Sequence, residues 1–277
     1  MGYRYLGKTG VKVSILGYGN WLTSDANTEE SQALVTESIK RCFDAGVNFF
    51  DTAEMYACGL AESQMGKALK ELNVPRKDYV LSTKMWFCGN QPNDRFLSRK
   101  HIIEGLRNSL KRLQTNYVDI VFAHRPDFET PLEEQVRAFS WCIDQGMAHY
   151  WGTSEWPASR FEQACAIAEK YHLHAPQVEQ CQYNMLERER MELEYRPLFE
   201  TRQMGTTIWS PLYGGALSGK YNDGSLPEGS RGQAAMTGTT YSYLAPRWNK
   251  YFGPSNVEKT KTCLAGIADV AKDLGCS

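Results

Sequence analysis

Seven short apolar runs, each followed by a polar or small residue and most by an amphipathic stretch, constrain this 277-residue chain more than any single motif does. They cover 13–19, 47–53, 79–84, 118–124, 148–154, 176–183 and 206–212. Several are rich in Val, Ile, Phe and Tyr with little alternation, which is how parallel strands covered on both faces read. The intervening helices have start and stop signals. Residues 28–45 place Leu34, Ser38, Cys42 and Ala45 on one stripe, and Gly46 ends it. Ser98 caps a helix carrying Ile102, Ile103, Leu106, Leu110 and Leu113. Pro131 takes a first helical position before Val136, Phe139 and Ile143, and Gly146 closes that segment. Residues 159–171 and 256–274 read as two more helices.

Alternation of β then α without a break in composition predicts a parallel α/β fold in one domain, 1–277. Two architectures satisfy it, a (β/α)₈ barrel and an open doubly wound sheet. The second should carry G-x-G-x-x-G after its first strand. Leu16-Gly17-Tyr18-Gly19-Asn20-Trp21 supplies two glycines but has Leu22 at the third position, which tilts the balance to the barrel.

Charge and composition remove several classes of function. Lys plus Arg numbers 31 against 32 for Asp plus Glu, so no basic excess favours nucleic acid or an anionic membrane. No apolar run is long enough to cross a bilayer, and the first residues lack the apolar core of a signal peptide. Eight scattered cysteines without a C-x-x-C read as reduced thiols of a cytoplasmic protein. His172 and His174 have no third ligand nearby, so no metal is expected.

The polar residues at strand ends carry the chemistry. Active-site side chains of α/β barrels lie where strands give way to loops. Asp51, Lys84 and His124 end three of the runs, and Tyr56 follows Asp51 by one short loop. Singly, each reads first as an ordinary strand-end polar group or half of an ion pair. Together they make a proton-transfer site, with Asp51 holding Lys84 charged and the ammonium lowering the Tyr56 pKa. Tyr56 could then protonate a carbonyl oxygen as a hydride arrives at carbon. A second constellation runs from Trp209 through Gly214, Gly215 and Ser218 to Lys220, where glycine amides and a lysine could approach a phosphate. Residues 213–255 read as one long cofactor or substrate loop, far longer than an ordinary connection, with Tyr241, Tyr243, Trp248 and Phe252 inside it.

Phe50-Asp51-Thr52-Ala53-Glu54-Met55-Tyr56, Ser82-Thr83-Lys84 and His124-Arg125-Pro126-Asp127 resemble the aldo-keto reductase superfamily. Tyr150-Trp151-Gly152-Thr153-Ser154-Glu155-Trp156, Tyr183-Asn184-Met185-Leu186 and Trp209-Ser210-Pro211-Leu212 are similar to its potassium-channel β-subunit branch. The likeness is greater to plant and fungal members than to animal ones, which carry Asn where this chain has His124. The resemblance implies a (β/α)₈ barrel binding NADPH or NADP⁺, a small carbonyl substrate, and the catalytic set Tyr56, Asp51, Lys84 and His124. It also implies a channel cytoplasmic domain and a homotetramer as partners, a regulatory redox-sensing role being the alternative to a reductase. By the same likeness Ser154 and Gln180 hold the nicotinamide carboxamide, Trp209 stacks on its ring, and Asn20 and Trp21 lie beside it. Ser210, Pro211, Leu212, Gly214, Ser218, Lys220 and Arg231 serve the phosphates, while Glu155 stands where the animal proteins have a basic residue. The family continues past residue 277 with an eighth strand and a final helix. A barrel lacking both is therefore expected here, as a fragment, a prematurely ended gene model or a weakened cofactor binder.

Overall fold

The computed structural model describes residues 1–21, 26–238 and 241–276, and Leu22 lies outside them. A hairpin of β1 (Tyr3–Tyr5) and β2 (Lys12–Ser14) comes first. A second sheet then takes its strands in strict chain order: β3 (Tyr18–Gly19), β4 (Phe49–Asp51), β5 (Val80–Met85), β6 (Val118–Ala123), β7 (Ala148–Ser154), β8 (Val178–Gln182) and β9 (Gly205–Trp209). Every registered pair from β3 to β8 is parallel. Helices α1 (Glu29–Asp44), α2 (Leu60–Glu71), α3 (Arg99–Leu113), α4 (Leu132–Asp144), α5 (Ala158–Lys170) and α6 (Arg196–Thr201) return the chain between successive strands. This is the β/α order of the barrel, with seven parallel strands among the described residues.

Three expectations are corrected. The run 13–19 is not one strand: Ser14 donates its hydroxyl to the Leu16 carbonyl at 2.6 Å, turning the chain so that only 18–19 joins the parallel sheet. The buried stripe of α1 is Val35 and Ile39, offset by one residue from the predicted one, and Leu34 is exposed. Pro131 is the cap before α4 rather than its first residue. The Ser98 cap performs as predicted, its side chain accepting from the His101 amide, and Thr28 caps α1 in the same way through the Ser31 amide.

Strand parity builds two layers of core. Phe49, Val80, Ile120, Phe122 and Val178 pack together on one face of the sheet. Phe50, Leu81, Val121, Ala123 and Trp151 face the other way, into a cluster with Val35, Ile39, Met65, Leu106 and Phe139 of α1–α4. With a period of two, Asp51, Ser82, Lys84, His124, Gly152, Ser154 and Gln180 fall on the first face, toward the C-terminal strand ends. Gly152 is required there, because a Cβ would lie 2.5 Å from the Val178 carbonyl oxygen and 2.8 Å from the Phe122 ring.

The chain divides into two compact units, Met1–Cys181 with Met191–Thr207, and Gln182–Arg190 with the residues from Ile208 onward. Residues 213–255, predicted as a long loop, contain the 3₁₀ turns Tyr213–Ser218 and Ser242–Leu244 and the helices α7 (Arg231–Met236) and α8 (Ala245–Phe252). They precede α9 (Val257–Asp273). Tyr213, Tyr221, Trp248 and Phe252 bury one another, with Ala216, Ala235 and Leu264, and give the second unit its own core. Apolar periodicity did not reveal it because the helices are one to two turns long and their aromatics come from separate turns.

Candidate active site

In the first unit, parity brings Asp51, Lys84 and His124 to one face at the strand ends, and the turn after β4 brings Tyr56 beside them. Lys84 is fully buried; its Nζ lies 2.5 Å from Asp51 Oδ2 and donates to the Thr52 carbonyl at 2.7 Å. The second Asp51 oxygen accepts from Ser82 Oγ at 2.6 Å and Gln180 Nε2 at 3.4 Å. Gln180 Nε2 also donates to Thr207 Oγ1 at 3.1 Å. Tyr56 opens a 3₁₀ turn, Tyr56–Gly59, in which Ala57 and Cys58 take φ of 46° and 50°. Its ring centroid is 4.9 Å from Lys84 Nζ, 5.7 Å from the His124 ring in an edge arrangement, and 6.3 Å from the Trp21 ring. Asn20 is tied to the start of α2 by its Nδ2 donating to the Ala61 carbonyl at 2.7 Å.

Electrostatics sharpen the roles. Burial opposes the Lys84 charge, but Asp51 and Tyr56 outweigh it and hold the ammonium pKa above its usual value. Burial pushes the Tyr56 phenol up, and Lys84 pulls it back only in part. The expectation that the ammonium leaves Tyr56 with a lowered pKa is therefore corrected: desolvation is the larger effect, and the group is a protonated phenol at neutral pH. Burial, Lys84 and Arg125 together hold the His124 imidazole well below its usual value, so it is neutral. Its Nδ1 is buried with no hydrogen-bond partner among the described residues.

Ser154 closes β7, buried, and its Oγ accepts from Arg125 at 3.1 Å. Glu155 follows with φ of 60° and donates its amide to the Gln180 carbonyl at 3.2 Å. Sequence reading missed Arg125 and Thr207. Arg125 had one signal, its place immediately after His124.

The phosphate-type residues belong to the second unit. Trp209 lies under the Arg247 guanidinium at 4.8 Å. Ser210 takes φ of 56°, its carbonyl accepting from Asn184 Nδ2 at 3.0 Å. The expected amide cradle is not what the glycines make. Tyr213 and Gly215 donate to the carbonyls of Ser210 and Leu212, Gly214 donates to Ser210 Oγ, and Leu217 also bonds Leu212. These amides are occupied within the turn, and two cationic side chains, Lys220 and Arg231, are near it. Both lie beside it: a Cβ at Gly215 would be 2.6 Å from Lys220 Cε, and one at Gly214 would be 3.7 Å from Arg231 Cδ. Ser218 Oγ bonds the Gly215 carbonyl, and Leu212, after Pro211, is exposed. His174 bonds Asp144 on the surface, and no metal-binding cluster occurs among the described residues.

A buried lysine–aspartate pair, a tyrosine and a histidine thus stand together at the strand ends of a parallel β/α sheet. The aldo/keto reductase family matches residues 15–277, and the chain belongs to it. It is 47% identical to a probable voltage-gated potassium channel subunit beta of Oryza sativa subsp. japonica, over 100% of this chain and 80% of that protein. A protein of the same description in Arabidopsis thaliana is 45% identical over 99% of the chain and 80% of its own length. A putative voltage-gated potassium channel subunit beta of Schizosaccharomyces pombe is 46% identical over 99% and 77%. No helix among the described residues is long and apolar enough to cross a membrane.

Proposed function

We propose that this protein is an NADPH-dependent reductase that converts aldehydes or ketones to alcohols, with Tyr56 as the general acid. The observation that carries this reading is the buried Lys84–Asp51 pair beside a phenol that burial keeps protonated. The donor set fits the cofactor: a hydroxyl and an amide at Ser154 and Gln180 suit a carboxamide, and Lys220 and Arg231 suit phosphates. NADPH, when bound, supplies the hydride. Tyr56 donates its proton to the substrate oxygen, and the Lys84 charge stabilises the phenolate left behind. Asp51 keeps Lys84 charged and aimed. Neutral His124 offers a ring nitrogen to the carbonyl without adding a charge. Asn20, Trp21, Ser154, Gln180 and Trp209 would serve the nicotinamide. Ser210, Pro211, Leu212, Gly214, Ser218, Lys220 and Arg231 would serve the phosphates, with Glu155 a neighbour rather than a donor.

The test is NADPH and NADH titration, then steady-state reduction of an aromatic aldehyde by the parent and by Tyr56→Phe. Retained NADPH affinity with turnover lost in the variant is the expected result. Reduction by Tyr56→Phe at the parent rate would remove Tyr56 from the role. A second reading, motivated by the relatives' names, is a regulatory subunit that docks on a potassium-channel cytoplasmic domain. Co-purification that changes with cofactor oxidation is its expected signature, and no complex in either redox state would exclude it.

A further inference from the structure

Glu179 is a carboxyl group with no exposed surface in the middle of β8. Strand parity turns it away from Gln180, onto the face of Cys181, whose cluster includes Phe161, Cys165, Tyr195 and Leu198. Its Oε2 accepts the Thr153 hydroxyl, and its Oε1 lies 3.2 Å from the Tyr195 phenol oxygen. That same phenol lies 2.6 Å from the Trp156 carbonyl oxygen. Proton counting then decides the chemistry. A carbonyl can only accept, so the single Tyr195 proton is committed to Trp156. The contact between Glu179 and Tyr195 therefore needs a proton from the carboxyl.

We infer that Glu179 is a neutral, proton-donating positioning residue whose chain through Tyr195 to the Trp156 carbonyl fixes residues 154–156, and that its ionisation loosens nicotinamide binding there. The cofactor half of this inference rests on the reading of Ser154 proposed above.

The surroundings support a neutral group. Burial raises its pKa to about 8; the Thr153 hydroxyl, the Glu155 amide and the Tyr195 phenol work against the rise, and the Glu155 carboxylate adds to it. From α5, the Cys165 thiol is pushed up to about 12 and is uncharged, and Arg160 lies over the Trp156 ring at 5.1 Å with its guanidinium on the Asp127 carbonyl. Beside α6, Arg202 is paired with Glu162 and Glu169. No cation pairs with Glu179 among the described residues. Once it ionises, a carboxylate competes with the Trp156 carbonyl for the Tyr195 proton and is the stronger acceptor. The strand end, strained at Glu155, then loses that tie and keeps the Glu155 amide bond to the Gln180 carbonyl.

The experiment is NADPH titration by protein fluorescence from pH 7 to 9.5, on the parent chain and on Glu179→Gln. The glutamine can donate to Tyr195 and accept from Thr153 at any pH. Parent affinity is expected to fall about fivefold, the worth of one hydrogen bond, with a midpoint near 8. Glu179→Gln is expected to bind as the parent does at pH 7 and to lose that dependence. Flat parent affinity, or an equal decline in the variant, overturns the inference. Infrared spectra of the cofactor-free parent give a second reading that does not depend on the variant folding. A protonated-carboxyl band should vanish with the same midpoint, and no band titrating in that range overturns the proton assignment. Absence of NADPH binding at pH 7 would instead refute the proposed function and the cofactor half of the inference, leaving the infrared result to judge the proton alone.

Discussion

Removing the Lys84 ammonium strands a carboxylate. Asp51 is 16% exposed and its direct charge partner is Lys84, which is fully buried at 2.5 Å. Among the described residues, Lys84→Met leaves Asp51 with the Ser82 hydroxyl and the Gln180 amide as donors. Breaking a buried pair from one side costs about 3–5 kcal/mol, and the residual exposure of Asp51 places the loss at about the lower end of that range. Asp51→Asn strands the ammonium instead, with the neutral Thr52 carbonyl and Tyr56 hydroxyl as acceptors, and should cost about as much. The double variant carries neither charge, and its asparagine can still accept from Ser82. Its loss should therefore be close to that of one single variant, a coupling of at least about 2 kcal/mol. Urea unfolding followed by tryptophan fluorescence on all four proteins measures this. Single losses that add to the double within about 0.5 kcal/mol would refute the claim that the pair acts as one electrostatic unit.

Gly152→Ala drives a Cβ against the Val178 carbonyl and the Phe122 ring, and should lower stability by about 1–3 kcal/mol in the same assay; an unchanged midpoint would contradict that packing. Glu179 binds a proton up to about pH 8 when folded but only to about 4.5 when unfolded, so its contribution to stability is full below 4.5 and falls as pH rises through 8. Between pH 4 and pH 7 the parent should therefore lose about 3 kcal/mol relative to Glu179→Gln, read from paired unfolding curves, and parallel curves would refute it. Because His124 is held neutral by burial and by Lys84 and Arg125, the rate of aldehyde reduction should show no inflection near the usual imidazole pKa. A rate that halves there and loses its inflection in His124→Asn would contradict that.

The strand rhythm made the β/α order legible, and with it the placement of Asp51, Lys84 and His124 at strand ends, because period-two parity converts sequence position into facing direction. A boundary was legible where a side chain caps a helix, as at Ser98. Other features depend on contacts between residues far apart in the chain. The hairpin that takes up Val13 depends on Ser14 and Asn48, and the small aromatic core on Tyr213 meeting Trp248. The direction of the Tyr56 shift was misjudged because the charge on Lys84 is visible in sequence whereas the depth of burial is not. Glu179 left no clear trace, standing among Gln177, Gln180 and Gln182, and became informative only when Tyr195 and Trp156 closed around it.

The central claim is that Tyr56 delivers the proton that accompanies hydride transfer from NADPH. Its most direct test is single-turnover absorbance of the nicotinamide band, with the 277-residue chain loaded with NADPH and mixed with an aromatic aldehyde. The account predicts loss of the band in the parent and none in Tyr56→Phe with equal cofactor bound. Equal decay in both proteins, or a stable band in a parent that holds NADPH and aldehyde together, would contradict it.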